Sequence, residues 1–212
     1  MDQFTVYLPG LLLAYSAFLL AIASPGPNVL AILGTSMSEG RRAGVALAVG
    51  IAAGSTAWAF LTVVGLSALL AAYAAALTAI KIAGGLYLLW LAYKAFRSAA
   101  SAHAIATTTL GGADRRPWAT GLRGLTIEMT NPKAVLAWIA SMSLGLQHDA
   151  PLWVGAALVG GTSALSFVIH YLYAVAFSTA AMVRLYGKAR RSIQAALGAF
   201  FCVAGIKLLT SR

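Results

Sequence analysis

Residues 7–35 read YLPGLLLAYSAFLLAIASPGPNVLAILGT, and this stretch contains no charged residue. It is longer than the roughly 20 apolar residues that a helix needs to cross a bilayer. Its interior nevertheless carries Ser24-Pro25-Gly26-Pro27-Asn28, in which both prolines lack the N–H of a helical hydrogen bond. The stretch therefore predicts a membrane span whose helix is broken inside the membrane.

The rest of the chain is equally apolar. Of its 212 residues, 60% are hydrophobic and only 9% are charged, and the mean hydropathy is +0.84. A soluble domain of this size carries charge at about a quarter of its residues, which it needs for its surface. The composition predicts an all-α integral membrane protein with one transmembrane domain, residues 1–212, and no separate soluble domain.

Six apolar stretches predict about six transmembrane helices. Their approximate ranges are 7–35, 44–68, 75–96, 119–146, 152–182 and 193–209. The second and third are difficult to separate, because no charged residue interrupts the sequence between them. Five spans with one re-entrant segment is therefore an alternative.

Most basic residues fall in the first, third and fifth connections between these stretches. They are Arg41, Arg42, Lys94, Arg97, Arg115, Arg116, Arg123, Arg184, Lys188, Arg190 and Arg191. The positive-inside rule then places these connections in the cytoplasm and both termini outside. The net charge of +10 is thus explained by membrane orientation and does not indicate a nucleic-acid partner.

The two halves of the chain, approximately 1–100 and 115–212, share an internal pattern. At an offset of 105 residues, Pro27 matches Pro132 and the Ser-Met-Ser run at 36–38 matches the run at 141–143. Halves of three spans each insert with opposite orientations. The pattern therefore predicts two inverted three-helix repeats, joined by a cytoplasmic loop.

A second helix break falls at Asn131-Pro132-Lys133, the position that corresponds to the first break. Backbone carbonyls freed by a break must meet protein partners or line a cavity, and paired broken helices are typical of transport sites. The alternative is that the prolines only kink packed helices. The candidate substrate-binding residues are Pro25, Gly26, Pro27, Asn28, Asn131, Pro132, Lys133 and Trp138.

Ionisable side chains within spans are costly and are usually paired, hydrated or functional. Glu128 and Lys133 flank the second break, so the two could pair, and Glu128 is a candidate proton carrier unless it reaches the cytoplasmic interface. His170 is a second proton-coupling candidate, with packing as its alternative role. Lys81 either extends to the interface or contacts a substrate carboxylate.

The sequence lacks the patterns of an enzyme, a metal site or a nucleotide site. Cys202 is the single cysteine, and the three histidines are far apart. We therefore predict no catalytic residue, no cofactor and no metal. Export of another small solute or of a metal ion is an alternative within transport, and metal export is disfavoured because the spans hold few candidate ligands. A membrane assembly subunit that does not transport is the alternative from another functional class.

Four short motifs, in this order, resemble the LysE/RhtB family of amino-acid exporters. They are Pro25-Gly26-Pro27-Asn28, Gly40-Arg41-Arg42-Ala43-Gly44, Lys81-Ile82-Ala83-Gly84-Gly85-Leu86-Tyr87-Leu88 and Asn131-Pro132-Lys133-Ala134. The similarity covers almost the whole chain. It implies a secondary carrier of the inner membrane that is driven by protons, often dimeric, and exports amino acids such as threonine, homoserine, leucine or lysine.

The resemblance implies a set of partners, and the sequence also departs from the family pattern at two places. The expected partners are an amino-acid substrate, protons, the lipid bilayer and a second copy of the chain. Members often carry an aromatic pair after the second break, whereas this chain has Ala137-Trp138. An acid at Glu128 is not expected as a rule, and both departures bear on substrate identity.

Overall fold

The computed structural model of the chain describes residues 3–24, 26–72, 74–101, 116–146 and 150–210. These ranges consist of helices and short connections and contain no strand, which confirms the all-α prediction. The helices are α1 (Gln3–Ala23), α2 (Pro27–Ser38), α3 (Arg41–Ala72), α4 (Ala74–Ala100), α5 (Pro117–Thr130), α6 (Pro132–Gly145), α7 (Leu152–Ala176) and α8 (Ala180–Thr210).

Within these ranges, four helical segments are long and apolar enough to cross a membrane. They are Thr5–Ala23, Arg41–Gly65, Leu152–Ala176 and Ala180–Thr210. By contrast, α5 and α6 have 14 residues each, or about 21 Å at helical rise, so neither crosses the membrane alone. The chain is thus a multi-pass membrane protein, while six spans and the inverted repeat stay predictions.

The connection between α7 and α8 is much shorter than the sequence suggested. We expected spans at 152–182 and 193–209 with a basic loop between them, but α7 ends at Ala176 and α8 already begins at Ala180. The predicted loop was wrong because Arg, Lys, Ala and Leu are all strong helix formers. The basic residues of this region therefore lie on the first turns of α8.

Two of these arginines stabilise the end of a neighbouring helix. Arg190 Nη2 donates to the carbonyls of Ser98 and Ser101, each at 2.9 Å, and Arg191 Nε donates to the Ala99 carbonyl at 3.1 Å. These carbonyls lie at the C-terminus of α4, where unpaired acceptors and the helix dipole favour a cation.

The first basic connection lies at the same end of the molecule as the fifth. Gly40, in the connection after α2, has a φ of +86°, a left-handed conformation that glycine adopts without strain, and α3 begins at Arg41. Arg41 Nε donates to Ser178 Oγ at 3.2 Å, in the α7–α8 connection. We call the end that carries residues 40–42, 98–101 and 177–191 the basic end.

Glycines allow two pairs of helices to approach closely. A Cβ added to Gly50 on α3 would lie 1.8 Å from the Gly121 carbonyl oxygen on α5, and one on Gly124 would lie 2.2 Å from the Leu47 oxygen. Similarly, a Cβ on Gly205 of α8 would lie 3.0 Å from the Gly85 oxygen on α4. Such small-residue contacts drive helix association in membranes.

Candidate substrate site at the crossing of two broken helices

The first break separates α1 from α2 in the middle of the apolar stretch 7–35. α1 ends at Ala23, and α2 begins at Pro27, whose fixed φ and missing N–H suit the first position of a helix. Gly26 between them is extended, with φ −159° and ψ −174°. Pro25, a predicted site residue, lies outside the described residues.

The second break separates α5 from α6 with a single residue. α5 ends at Thr130, and Pro132 is again at the start of the following helix. Asn131 caps that helix, because its Oδ1 accepts a hydrogen bond from the Lys133 backbone N–H at 3.0 Å. The positions of both breaks therefore follow from the prolines and from one capping side chain.

A chain of hydrogen bonds joins the two breaks. Asn28 Nδ2, on the first turn of α2, donates to Glu128 Oε2 on the last turn of α5. Asn28 Oδ1 accepts from Asn131 Nδ2 at 3.1 Å, and Asn131 in turn caps α6 at Lys133. The two breaks that the sequence singled out separately thus meet, and their polar side chains form one network.

The carbonyls freed by the first break are satisfied by side chains from other helices. The Ser24 oxygen accepts from Lys133 Nζ at 3.0 Å, and the Ala23 oxygen accepts from the Tyr173 hydroxyl of α7 at 3.0 Å. The Tyr87 hydroxyl of α4 donates to the Lys133 oxygen at 2.9 Å beside the second break. This satisfies the requirement that backbone polar groups inside a membrane find partners.

Close packing holds Glu128 in place. The residue is only 3% exposed, and a Cβ added to Gly54 on α3 would lie 2.9 Å from Glu128 Cβ. The carboxyl group is therefore enclosed by α2, α3 and α5. Lys133 Nζ binds the Ser24 carbonyl, and the structure shows no ion pair between Lys133 and Glu128 in the residues it describes.

A small cavity lies directly against this network. Its volume is about 30 Å³, and its lining includes Phe18, Asn28, Glu128, Lys133 and Trp138. Trp138 is 1% exposed and packs on Phe18 with ring centroids 4.4 Å apart. A water molecule needs roughly 10–15 Å³ of such space, so this inner cavity has room for water but not for an amino acid.

A larger cavity lies on the other side of the same residues. It measures about 390 Å³ and lies between α4, α6, α8 and the first break, and we call it the vestibule. Its polar and aromatic lining residues are Tyr87, Trp90, Lys94, Ser98, Lys133 and Gln194. Ser24, Gly26, Asn131 and Lys133 line both cavities and form the partition between them.

Gly26 is needed in this partition because Lys133 passes over it. A Cβ at position 26 would lie 2.9 Å from Lys133 Nζ and 3.1 Å from its Cδ. A larger residue would push the lysine out of contact with the Ser24 carbonyl. The glycine of the Pro-Gly-Pro motif therefore provides space rather than an unusual backbone conformation.

The structure describes Lys81 and His170, two further predicted site residues, to different extents. Lys81 lies on α4, and its side chain is outside the described part of the structure. His170 is buried on α7, where its Nδ1 lies 2.8 Å from the Ser166 carbonyl oxygen and 3.1 Å from Ser166 Oγ. Its Nε2 is buried without a hydrogen-bond partner. His170 lines neither of the two cavities.

Sequence reasoning missed four residues that contact the breaks or line the vestibule: Tyr87, Tyr173, Lys94 and Gln194. A tyrosine in a span has many uses, and nothing in the sequence indicated which carbonyl it would reach. Lys94 was counted only for its charge at a cytoplasmic connection. Gln194 had one available signal, an uncharged amide among apolar residues of a span.

Among the described residues, no group of three or more His, Cys, Asp or Glu side chains could hold a metal ion. Glu128 accepts a hydrogen bond from the Asn28 amide, and Asn131 and Lys133 line the same cavity. The chemistry available at the crossing is hydrogen bonding and charge recognition of a polar solute, together with protonation of one carboxyl group.

Comparison with known proteins agrees with this description. The LysE type translocator family matches residues 19–212. The uncharacterized membrane protein YahN of Escherichia coli (strain K12) is 30% identical over 211 residues, which cover 99% of this chain and 93% of that protein. The threonine efflux protein of the same strain is 29% identical over 92% of this chain and 94% of its own length.

A more local similarity involves the leucine efflux protein of an Enterobacter species (strain 638), which is 36% identical over 121 residues, or 55% of this chain and 54% of that protein. No solved structure is a significant match. The family match covers both breaks from α1 to the end of α8. The chain belongs to the LysE type translocator family, and it is accordingly a membrane transporter rather than an enzyme.

Proposed function

We propose that this protein is a secondary carrier of the bacterial inner membrane that exports amino acids or closely related metabolites and uses protons as the coupling ion. The threonine and leucine efflux proteins among its relatives support this substrate class. The proposal includes six spans in two inverted repeats, both termini outside and a homodimer as the assembly.

The observation that carries the proposal is the crossing of the two breaks. An amino acid presents a carboxylate and an ammonium group, and the crossing offers Lys133 and Glu128, which have opposite charges. Asn28 and Asn131 lie between them and can hydrogen-bond either end of such a substrate. The N-terminus of α6 adds a partial positive charge beside Lys133, which further favours a carboxylate.

The conformation in the structure cannot hold the substrate at this crossing, because the inner cavity has room only for water. The Lys133–Ser24 hydrogen bond closes the partition toward the vestibule. Substrate must therefore open the partition, and a substrate carboxylate can do so by replacing the Ser24 carbonyl as the acceptor for Lys133. This exchange is a two-state step of the kind that alternating access requires.

We propose that Glu128 binds the proton that is coupled to transport. Its carboxyl group is the acidic side chain at the crossing, and it lies in the inner cavity rather than in an open surface. When the group is neutral, the site loses its partner for an ammonium group, so proton binding and amino-acid binding compete. His170 is a second candidate, because its unpartnered Nε2 could take a proton that has left Glu128.

The test is efflux from proteoliposomes preloaded with labelled threonine, homoserine, leucine or lysine, with and without a proton gradient. Wild type, Lys133→Ala, Glu128→Gln and His170→Gln are compared at matched amounts of inserted protein. We expect gradient-dependent efflux of one substrate class in the wild type, and a loss of at least tenfold in Lys133→Ala. Glu128→Gln should raise the KM for the substrate, because the ammonium group loses its charged partner, and the remaining efflux should no longer respond to the gradient.

Lys188→Gln is the matched control, because Lys188 is exposed on α8 and lines neither cavity. If wild-type protein moved no amino acid of the panel, the proposed substrate class would be refuted. If Lys133→Ala lowered the amount of assembled protein but not the flux per molecule, Lys133 would have a structural role alone and the proposed carboxylate site would fail.

A further inference from the structure

The vestibule is a second binding region, separate from the crossing of the breaks. Its volume of about 390 Å³ falls in the range of small-molecule pockets, roughly 300–1,000 Å³. Lys94 lies over the Trp90 ring, with Nζ 4.5 Å from the ring centroid, in an arrangement that fixes the position of an ammonium group. This places one cation within the vestibule independently of Lys133.

Gln194 provides an unused polar group in the same cavity. Its side chain is 3% exposed and lines the vestibule, and it makes no hydrogen bond within the described part of the chain. Its carboxamide is therefore available to hydrogen-bond a ligand that enters the vestibule. A carboxamide N–H donates well to an anionic oxygen.

The positive charge of the vestibule favours an anionic ligand. Lys94 and Lys133 both line it and repel each other, and none of its lining residues is acidic. An anionic group placed between the two lysines would relieve that repulsion in a region partly shielded from water, where charges interact more strongly. A cationic or neutral group gains nothing comparable there.

The position of the vestibule indicates when in transport it is used. Ser98 lines it, and the Ser98 carbonyl accepts a hydrogen bond from Arg190 at the basic end. The positive-inside rule assigns that end to the cytoplasm. A substrate in the vestibule is separated from Glu128 by the partition that contains Lys133 and Gly26.

We propose that Lys94 and Gln194 form an access subsite that binds the substrate carboxylate on the basic side, before Lys133 receives it. This inference rests on the proposed function and narrows it: a free carboxylate is required for recognition, whatever the amino-acid side chain. Lys133 then leaves the Ser24 carbonyl for the incoming carboxylate, and the partition opens toward Glu128.

Uptake into inside-out membrane vesicles tests the subsite, since these vesicles expose the cytoplasmic face. Initial rates are measured over a range of concentrations of labelled threonine and labelled leucine. Threoninamide and leucinamide, which lack the carboxylate, serve as unlabelled competitors. The variants are Lys94→Gln and Gln194→Leu, with Lys188→Gln as the charge-matched control outside the cavity.

We expect Lys94→Gln and Gln194→Leu each to raise KM about tenfold with little change in the maximal rate, and Lys188→Gln to leave both parameters unchanged. Neither amide should compete. Unchanged KM values in both variants would overturn the subsite, as would competition by the amides equal to that of the acids. If wild type transported no amino acid of the efflux panel, the proposed function itself would fail and the subsite with it.

The same kinetics in proteoliposomes of phosphatidylcholine alone identify the source of the anion. A substrate carboxylate predicts that the KM increase in Lys94→Gln persists when no anionic lipid is present. An increase that disappeared in these vesicles would show that Lys94 binds a lipid headgroup, and it would overturn the proposal.

Discussion

Asn28 uses both ends of its carboxamide, one as a donor and the other as an acceptor. The Nδ2 group donates to Glu128, while Oδ1 accepts from Asn131 Nδ2. An aspartate would place a second carboxylate beside Glu128, and a leucine would leave both partners buried without a hydrogen bond. The residue therefore couples α2 to α5 and to the second break.

We predict that Asn28→Ala lowers both transport and stability. The substitution leaves Glu128 and Asn131 without one buried partner each, at a cost of roughly 1–3 kcal/mol in the free energy of unfolding. Efflux per inserted molecule should fall at least tenfold, because the amide contacts the candidate substrate site. Efflux assays combined with thermal unfolding in detergent measure the two effects.

Ser16→Ala is the control for this prediction. The Ser16 hydroxyl donates only within its own helix, to the Leu12 carbonyl at 2.7 Å, on an exposed face of α1. We expect no change in efflux for this variant. Normal efflux in Asn28→Ala, with only its stability lowered, would show that the asparagine has a structural role alone.

At the scale of helices, the contact between α3 and α5 determines where Glu128 lies. Gly50 and Gly54 of α3 face α5, and Gly124 of α5 lies against the Leu47 carbonyl. Glu128 follows Gly124 by four residues, so it lies on the same face one turn further along α5. A helix pair held apart by larger side chains would move the carboxyl group away from Asn28.

We predict that Gly124→Leu separates α3 from α5 and disables the carrier. The new side chain would begin at a Cβ only 2.2 Å from the Leu47 carbonyl oxygen, so backbone must move, typically at a cost of about 1–3 kcal/mol or more. Both the midpoint of thermal unfolding and efflux should decrease.

The control is Gly160→Ala on α7, where a Cβ would meet no atom within 4 Å. This change should leave efflux unchanged and slightly favour the helix, since alanine has the higher helix propensity. Unaltered unfolding and efflux in Gly124→Leu would contradict the close α3–α5 contact.

At the scale of the molecule, part of the architecture could be predicted from the sequence, because prolines and apolar length act locally. The helix ends at Ala23 and Thr130 follow directly from Pro27 and Pro132. Long-range contacts have no such local signal, which is why the Tyr173 bond to the Ala23 carbonyl went unpredicted. The continuous helix α8 was also missed, because a cluster of basic residues resembles a loop although each residue favours a helix.

The candidate site was likewise predictable only in part, because its local features have sequence signals and its long-range contacts do not. Spacing alone allowed Glu128 and Lys133 to pair, but the structure directs Lys133 to the Ser24 carbonyl and Glu128 to Asn28. The reason is that Asn131 between them is extended, with φ −81° and ψ 108°, so the side chains on its two sides do not share the face of one continuous helix. The partition between the two cavities arises from this arrangement.

The central claim is that substrate passes through the crossing of the two broken helices. Ala137 lines the inner cavity and is 8% exposed, so Ala137→Cys, in a Cys202→Ala background, reports access to it. A membrane-impermeant thiol reagent is applied to each face of the vesicles in turn, with and without the transported amino acid. Ala53→Cys, on the exposed face of α3 and lining neither cavity, is the control.

We expect the cysteine at position 137 to react from both faces during transport. Saturating substrate should change its reaction rate several-fold, and the control cysteine should show neither effect. A cysteine at position 137 that stayed unreactive from both faces, with substrate making no difference while transport proceeded, would contradict the claim.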